Sequence, residues 1–145
     1  SHGESYTLFD IGGYKFCAMI YLESIFPQLS REFVKKGANF LVYLVNDGWY
    51  EKAPEPQQHA SRAVYRAIET RRPVVRCANT GISMIINSYG VVEKSIDLNK
   101  SGTLQTKINK KNSNDKTFYT RFGDVFVLIL LTASLMLFIR SLINK

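Results

Sequence analysis

The chain has 145 residues and a net charge of +7, which allows one ordinary domain and favours contact with an anionic surface. The sequence has no basic helix interleaved with aromatic residues and no metal-ligand spacing, so we expect no nucleic-acid partner, no metal and no cofactor. It begins without an initiating Met or a signal-peptide pattern, and we therefore expect a fragment of a longer protein.

The first half of the chain predicts a strand, a helix and a second strand. Lys15–Ser24 and Phe40–Val45 are apolar runs, which we expect to be strands buried on both faces. Between them, Gln28–Lys36 has the composition of a short helix. This order and spacing are typical of a βαβ unit, so the two strands should be parallel neighbours with Ile20 and Val42 in the core.

The next stretch predicts a turn and a long helix. Asn46–Gly48 (NDG) is typical of a tight turn, and from Gln57 onward apolar residues recur at the spacing of one buried helix face. These apolar positions are Ala60, Ala63, Val64, Ala67 and Ile68. We expect Arg66 to lie off this face and His59 to be a surface or capping residue. Pro73 should end the helix, because the residue before a proline is pushed out of the α region.

Arginines and cysteines near the predicted strands have ordinary roles in this interpretation. We expect Arg71, Arg72 and Arg76 to form ion pairs, with bidentate binding of a carboxylate or phosphate as the alternative. Both Cys17 and Cys77 lie in apolar runs, which favours two buried free thiols. A disulfide is the alternative if the domain faces an oxidising compartment.

The chain after the helix predicts a hairpin and a linker. Gly81–Asn87 and Val91–Leu98 are expected strands separated by a turn, with Gly81 serving backbone geometry. The polar and basic segment 100–116 predicts a solvated linker, with one more short strand at 103–108. Contact with lipid head groups is the alternative for this segment.

The end of the chain predicts a membrane-spanning helix. Val125–Ile139 has no charged residue, and its flanks at 122–124 and 140–143 extend it to the length that crosses a bilayer. A buried core helix is the alternative, and the missing polar face disfavours it. The positive charge of 107–121 would place the linker in the cytoplasm.

A resemblance to a known family rests on four short motifs, which read NDGWY, QQH, RAIETRRP and R-C-ANTGIS. In this order they resemble the closing half of the carbon–nitrogen hydrolase (nitrilase) domain of apolipoprotein N-acyltransferases. The resemblance implies an α/β fold, with the C-terminal half of an αββα sandwich at 1–99, a basic linker at 100–121 and a transmembrane helix at 122–144. Such a half domain leaves sheet and helix faces open for the missing N-terminal half or a partner chain.

The resemblance also indicates where catalytic residues would stand. The nitrilase superfamily uses a Glu base, a Lys and a Cys nucleophile, and the Cys stands where a buried strand turns into a helix, in a motif such as I-C-Y-E. The matching motif here is I-Y-L-E, which puts Tyr21 at the nucleophile position and Glu23 at the Glu two residues later. A carboxylate at a helix N-terminus is the alternative role for Glu23.

The altered nucleophile position predicts an inactive chain. A phenol, with a pKa of about 10, is a poor substitute for a thiolate that must attack and then leave. Cys17 lies about 13 Å further back along the strand, and Ser1–Gly13 contains no recognisable match to the Glu base or the Lys. We therefore expect these 145 residues to be inactive alone.

By this resemblance, the family activity is transfer of a fatty acyl chain from a phospholipid to the N-terminal diacylglyceryl-cysteine of a lipoprotein, through an acyl-thioester. Asn46, Asp47 and Trp49 follow the second buried strand and are the expected substrate-pocket residues, with a structural turn as the alternative. The resemblance implies the bacterial inner membrane, with the hydrolase-like domain on the periplasmic side, against the charge rule. The alternatives are a non-catalytic membrane-anchored remnant or binding module and, less favoured, a soluble amidase.

Overall fold

The computed structural model describes residues 5–48, 54–109 and 114–143. In these residues the chain forms six β-strands, four α-helices and one short 3-10 helix. In chain order they are β1 (Phe9–Ile11), β2 (Tyr14–Ile20), the 3-10 helix (Tyr21–Ile25), α1 (Pro27–Lys35), β3 (Phe40–Val45), α2 (Glu55–Thr70), β4 (Val74–Ala78), β5 (Ser83–Ile86), β6 (Val92–Ile96), α3 (Phe118–Phe122) and α4 (Val125–Ile143).

The strands form one six-stranded sheet in the order β1-β2-β3-β4-β5-β6. Strands β2, β3 and β4 run parallel, with Ala18 opposite Val42 and Val42 opposite Val75. The remaining neighbouring pairs are antiparallel. The predicted βαβ unit and the parallel pairing of its strands are therefore confirmed. Strand β2 ends earlier than the strand predicted at Lys15–Ser24, because the chain turns into the 3-10 helix after Ile20.

One face of the sheet carries the core. Alternate side chains of the central strands pack with α1 and α2 in a single apolar cluster. Its fully buried members on β2 and β3 are Cys17, Met19, Leu41 and Tyr43. On the other face, Ile20 is 65% exposed, Leu44 is 45% exposed and Val42 is only half-buried. The prediction that both faces are buried, with Ile20 in the core, is wrong for this chain, because α1 and α2 both pack on the same face. The N-terminal half or partner chain that was expected to cover such a face stays a prediction.

The buried face of α2 is rotated from the predicted one. Its buried residues are Pro56, His59, Ala60, Ala63, Arg66, Ala67 and Thr70. The three alanines were predicted, whereas Ile68 is 42% exposed. Arg66 is buried because its guanidinium has acceptors there, donating to the Ile25 carbonyl at 3.3 Å and to Glu69 Oε1 at 2.7 Å. The prediction that Arg66 lies off the buried face is therefore wrong.

Both helices of the core end at a residue with positive φ. Gly37, just after α1, has a φ of 106°, which glycine adopts without a Cβ penalty. Arg71, just after α2, has a φ of 53° in the left-handed region. The helix α2 therefore ends at Thr70, with Arg71 as its left-handed cap, and not at the residue before Pro73.

The predicted hairpin is present as β5 and β6, and its turn closes with the Asn87 N–H donating to the Val91 carbonyl at 2.9 Å. The strand predicted at 103–108 is wrong, because 101–109 contains neither helix nor strand. Lys94 Nζ donates to the Gln105 carbonyl at 2.5 Å, so a side chain and not a ladder of backbone bonds holds this segment beside β6.

The last part of the predicted linker packs against the helices. Arg72 is fully buried and donates to the Asp115 carbonyl at 2.9 Å. Arg31 donates to the carbonyls of Thr120 at 3.1 Å and Arg121 at 3.3 Å. The expectation of a solvated linker at 100–116 is therefore wrong for its last two residues, because Arg72 takes the Asp115 carbonyl as an acceptor and Lys116 Nζ donates to the Lys35 carbonyl at 3.0 Å.

Among the described residues, one helix is long and apolar enough to cross a membrane, namely α4 with 19 residues. None of its described side chains is buried. It begins at Val125 and not at 122, because Gly123 (φ 67°) ends α3. At about 1.5 Å per residue the helix is about 28 Å long, close to the roughly 30 Å hydrocarbon core.

Candidate functional site

Tyr21 stands where β2 turns sharply into the 3-10 helix. Ile20 is extended, with φ −106° and ψ 126°, whereas Tyr21 is left-handed with φ 50°. A non-glycine residue in this region costs roughly 1–2 kcal/mol, and such residues cluster at functional sites where surrounding contacts hold them. The turn lies at the carboxyl end of the parallel strands, which is the edge where α/β sheets present loops to ligands.

Glu23 caps this turn. Its Oε2 accepts a hydrogen bond from the Ile20 N–H at 2.7 Å, which satisfies one of the amides left without a partner at the start of a helix. The side chain is exposed. Of the two expected roles for Glu23, this hydrogen bond supports the carboxylate at a helix N-terminus, and a role in a pocket stays a prediction.

Behind the turn, four buried side chains form a continuous chain of hydrogen bonds, which we call the buried network: Ser24, His59, Asp47 and Arg76. Ser24 Oγ lies 3.0 Å from His59 Nε2, and His59 Nδ1 lies 2.9 Å from Asp47 Oδ1. Arg76 Nη2 donates to Asp47 Oδ2 at 2.8 Å, and Arg76 Nη1 donates to the Ile82 carbonyl. None of the four is more than 6% exposed. Both oxygens of the buried carboxylate are therefore paired, which offsets its loss of water.

The buried network corrects the expectation for His59. This residue was expected at the surface, but it is 6% exposed and faces the carboxylate of Asp47. The sequence contains the signal that was missed. His59 lies four residues before Ala63 and eight before Ala67, so it belongs to the same helix face as the buried alanines. Ser24 and Arg76 were not predicted as its partners.

The three expected pocket residues have different surroundings. Asp47 is 1% exposed and lies inside the buried network. Asn46 is exposed, and its Oδ1 accepts from the Gly48 N–H at 3.2 Å, as in a structural turn. Trp49 lies outside the described residues. The structure therefore joins Asp47 to His59 and Arg76 and not to its neighbours in sequence.

The order Ser24–His59–Asp47 has the hydrogen-bond pattern of a nucleophile, a base and an orienting carboxylate. Burial excludes that chemistry here. Ser24 is 2% exposed, and its hydroxyl also lies 3.1 Å from the Tyr21 carbonyl oxygen, so a substrate carbonyl cannot reach it. What this arrangement can do is hold the backbone of the turn.

Asp47 fits in its position because residue 81 is glycine. A Cβ added at Gly81 would overlap Asp47 Oδ2. Gly81 is not among the described residues with positive φ. The expectation that Gly81 serves backbone geometry is therefore wrong, because the close approach of a buried carboxylate is what requires the missing side chain.

The cysteines do not supply a substitute nucleophile. Cys17 is fully buried, and this burial raises the pKa of its thiol to about 12, so almost no thiolate forms near neutral pH. Cys77 is exposed, and both thiols are free. The expectation of two buried thiols is therefore wrong for Cys77, because its position on β4 points away from the face that packs on α1 and α2.

A small open pocket of about 70 Å³ adjoins the buried network. Its lining residues are Leu22, Ile25, Glu55, Gln58, His59 and Arg62. The pocket thus offers a carboxylate and a guanidinium beside the turn that carries Tyr21. Within the described parts of the chain, no group of three or more His, Cys, Asp or Glu side chains is arranged to hold a metal ion.

Comparison with known proteins gives a consistent family. Residues 1–115 match the carbon–nitrogen hydrolase family. The apolipoprotein N-acyltransferase of Geobacter metallireducens is 38% identical over 126 residues, which cover 87% of this chain and 24% of that protein. The apolipoprotein N-acyltransferase of Thermotoga maritima is 35% identical over 125 residues, covering 86% and 24%. The chain therefore spans about a quarter of the length of these curated relatives.

A solved structure shows the same fold. Saccharomyces cerevisiae Nit3, a member of branch 10 of the nitrilase superfamily, superposes with a TM-score of 0.59 at 22% identity, over 70% of this chain and 40% of that one. The predicted α/β fold of the nitrilase type is therefore confirmed.

Proposed function

Since the chain belongs to the carbon–nitrogen hydrolase family, we propose that it is part of a membrane-anchored N-acyltransferase. The reaction would move a fatty acyl chain from a phospholipid to the N-terminal amine of a lipoprotein's diacylglyceryl-cysteine. The observation that carries this proposal is the similarity, over most of the chain, to relatives named apolipoprotein N-acyltransferase. The apolar helix α4 supports it, because an enzyme that acts on phospholipid benefits from an anchor in the bilayer.

The chemistry needs a nucleophile that first accepts the acyl group and then releases it. A thiolate would attack the ester carbonyl and expel the lysophospholipid, and the acceptor amine would then attack the thioester and free the thiol. The left-handed turn at the carboxyl end of β2 is a suitable place for that group. Tyr21 has a phenol there, and the pKa of a phenol is normally about 10. We propose that the chain does not complete acyl transfer while Tyr21 occupies this position.

Residues around the turn have proposed roles at the substrate. Glu23 is exposed beside Tyr21, and Asn46 follows β3 at the same edge of the sheet, three residues before Trp49 in the sequence. We assign these three to the rim of the substrate pocket. Asp47 then acts from behind this rim, through the buried network.

The surroundings of the domain form part of the same proposal. We place α4 in the bacterial plasma membrane and the hydrolase-like domain on its periplasmic side. Ile20 and Leu44 leave apolar surface exposed on the open face of the sheet, and large exposed apolar patches mark interaction sites. The N-terminal half of a longer protein, or a partner chain, would cover this face and supply the Glu base and the Lys.

A second candidate is a non-catalytic, membrane-anchored binding module of the same fold, and the observation that favours it is the phenol of Tyr21. The two candidates differ in what happens when a thiol is restored. A Tyr21→Cys chain should become an acyltransferase only if the surrounding site is still built for the reaction.

The test joins the N-terminal part of the Geobacter relative to this chain and measures transfer of a labelled phospholipid acyl chain to a diacylglyceryl peptide. Mass spectrometry follows the acyl-enzyme. We expect transfer by the Tyr21→Cys chimera and none by the unchanged chimera. A Tyr65→Cys chimera is the matched control, since Tyr65 is an exposed tyrosine on α2. It should remain inactive.

Two results would decide against the proposal. If a folded Tyr21→Cys chimera forms no acyl-thioester, the binding module becomes the better interpretation. An acyl adduct on Tyr21 or Cys17 of the unchanged chain would show that the chain is an enzyme as it stands.

A separate experiment tests the membrane anchor. Removing residues 122–145 should release the chain from carbonate-washed membranes. Recovery of the full chain in the soluble fraction without detergent would contradict a spanning helix.

A further inference from the structure

We propose that the buried network is a positioning device for residue 21. In this inference Ser24, held by His59, Asp47 and Arg76, fixes the Tyr21 carbonyl and thereby keeps the turn in its left-handed conformation. The importance of this device for acyl transfer rests on the proposed function, whereas its effect on the backbone does not.

Ser24 connects the buried network to the turn at Tyr21. Its Oγ lies 3.1 Å from the Tyr21 carbonyl oxygen and 3.0 Å from His59 Nε2. The hydroxyl belongs to the same 3-10 helix as Tyr21, so a local bond alone would move with the turn. Because Ser24 also contacts His59 on α2, the turn is tied to a separate element of the core.

The rest of the network fixes His59 in turn. Its ring lies 2.9 Å from Asp47, which follows β3, and Asp47 is paired at 2.8 Å with Arg76 on β4. Buried polar groups that are hydrogen-bonded to one another hold a specific geometry, since breaking one of these bonds leaves a buried group unpaired, which is costly. Three elements of the core therefore determine where the Ser24 hydroxyl lies.

Residue 21 needs such support, because a residue with a Cβ does not favour a φ of 50°. On the outer side, Glu23 accepts from the Ile20 N–H, which caps the turn but involves only neighbouring residues. The buried network adds hydrogen bonds from α2 and from the ends of two strands, which belong to other parts of the chain. Holding the backbone here would fix the direction in which any nucleophile at position 21 points, and we therefore assign Ser24 and His59 as positioning residues.

The experiment compares glycine with alanine at position 21, because both remove the phenol ring and its edge contact with His59 at 5.9 Å. The full chain in non-ionic detergent is unfolded with urea. With the network intact, the Tyr21→Gly chain should have an unfolding equilibrium constant about two- to fivefold smaller than the Tyr21→Ala chain, since glycine adopts positive φ without a Cβ penalty.

Removing the Ser24 hydroxyl should abolish the greater stability of the Tyr21→Gly chain over the Tyr21→Ala chain. When Ser24→Ala is added to both chains, residue 21 can relax, and only the greater chain entropy of unfolded glycine remains, so the Tyr21→Ala chain should become equal or more stable. Ser30→Ala is the matched control. Ser30 is also a fully buried serine, but its hydroxyl contacts Tyr43 at 3.0 Å and not the turn, so the advantage of glycine should survive.

The inference is overturned if glycine keeps its full advantage after Ser24→Ala, or if Ser30→Ala removes the advantage equally. Should the Ser24→Ala chains fail to fold, His59→Asn replaces them. Asparagine keeps a donor for Asp47 but is too short to reach Ser24, and the same loss of the glycine advantage is expected. The measurement uses no acyl donor, so it can fail while the proposed function stands, and the acyl-transfer test can fail while the positioning device stands.

Discussion

Replacing Asp47 by alanine removes the carboxylate at the centre of the buried network. The Asp47 and Arg76 side chains are each 0% exposed, and His59 is 6% exposed. Without the carboxylate, the Arg76 guanidinium keeps its charge but loses its buried counter-ion. Removing one partner of a buried ion pair costs about 3–5 kcal/mol. We therefore expect the free energy of unfolding to fall by about that amount.

The matched control is Asp97→Ala. Asp97 also pairs with a cation, Lys100 at 3.0 Å, but their side chains are 70% and 68% exposed. Exposed pairs contribute about 0–1 kcal/mol, so this substitution should hardly change stability. The assay is urea unfolding of the full chain in detergent, followed by intrinsic fluorescence, with the urea midpoint and slope compared between the two variants.

A double substitution separates the lost pair from the stranded charge. Adding Arg76→Met to Asp47→Ala removes the charge that the single substitution leaves buried, so part of the stability should return. The reasoning is refuted if Asp47→Ala and Asp97→Ala shift the unfolding midpoint equally. It is also refuted if Arg76→Met makes the Asp47→Ala chain still less stable, because the charge would then not be the cause of the loss.

Three further outcomes follow from burial. Gly81→Ala should cost about 1–3 kcal/mol in urea unfolding, since the new Cβ must push the buried carboxylate aside; an unchanged midpoint would contradict that close approach. A maleimide at pH 8 should label Cys77 only, because a pKa of about 12 instead of 9.0 slows Cys17 about a thousandfold; labelling of both thiols in the folded chain would show that Cys17 is accessible. Met19→Asp should cost several kcal/mol and Ile20→Asp less than about 1 kcal/mol, and equal losses would mean that the open face is covered.

Much of the fold was readable from local patterns. The apolar runs at residues 15–24 and 40–45, with a short helix between them, predicted the parallel pair, and the turn at 87–90 predicted the hairpin. The uncharged run from Val125 predicted the terminal helix. Hydrophobic periodicity and turn residues depend on neighbouring positions, so they can be recognised without knowing how the rest of the chain folds.

The candidate site was only partly readable. The resemblance placed Tyr21 at a strand-to-helix turn, and the structure has a turn into a 3-10 helix there. The catalytic roles of Tyr21 and Glu23 stay predictions. Ser24 was not singled out, and His59 was expected to be a surface or capping residue. The role of a buried polar residue depends on the groups that it pairs with, and here those groups lie on the 3-10 helix, on α2, just after β3 and on β4. No spacing along the chain gives that convergence.

The sequence by itself determined which residues alternate along the strands and where the hairpin turn lies, because those depend on backbone geometry and on the side chains within a few positions. Only the tertiary structure decided which face of the sheet the two helices cover, and thus that Met19 is buried while Ile20 is exposed. It also decided that Arg66 and His59 can be buried, since a polar side chain leaves water only where other elements bring acceptors or donors to it. The left-handed turn at Tyr21 also depends on the tertiary structure. A residue with a Cβ disfavours this conformation locally, and contacts from the rest of the fold maintain it.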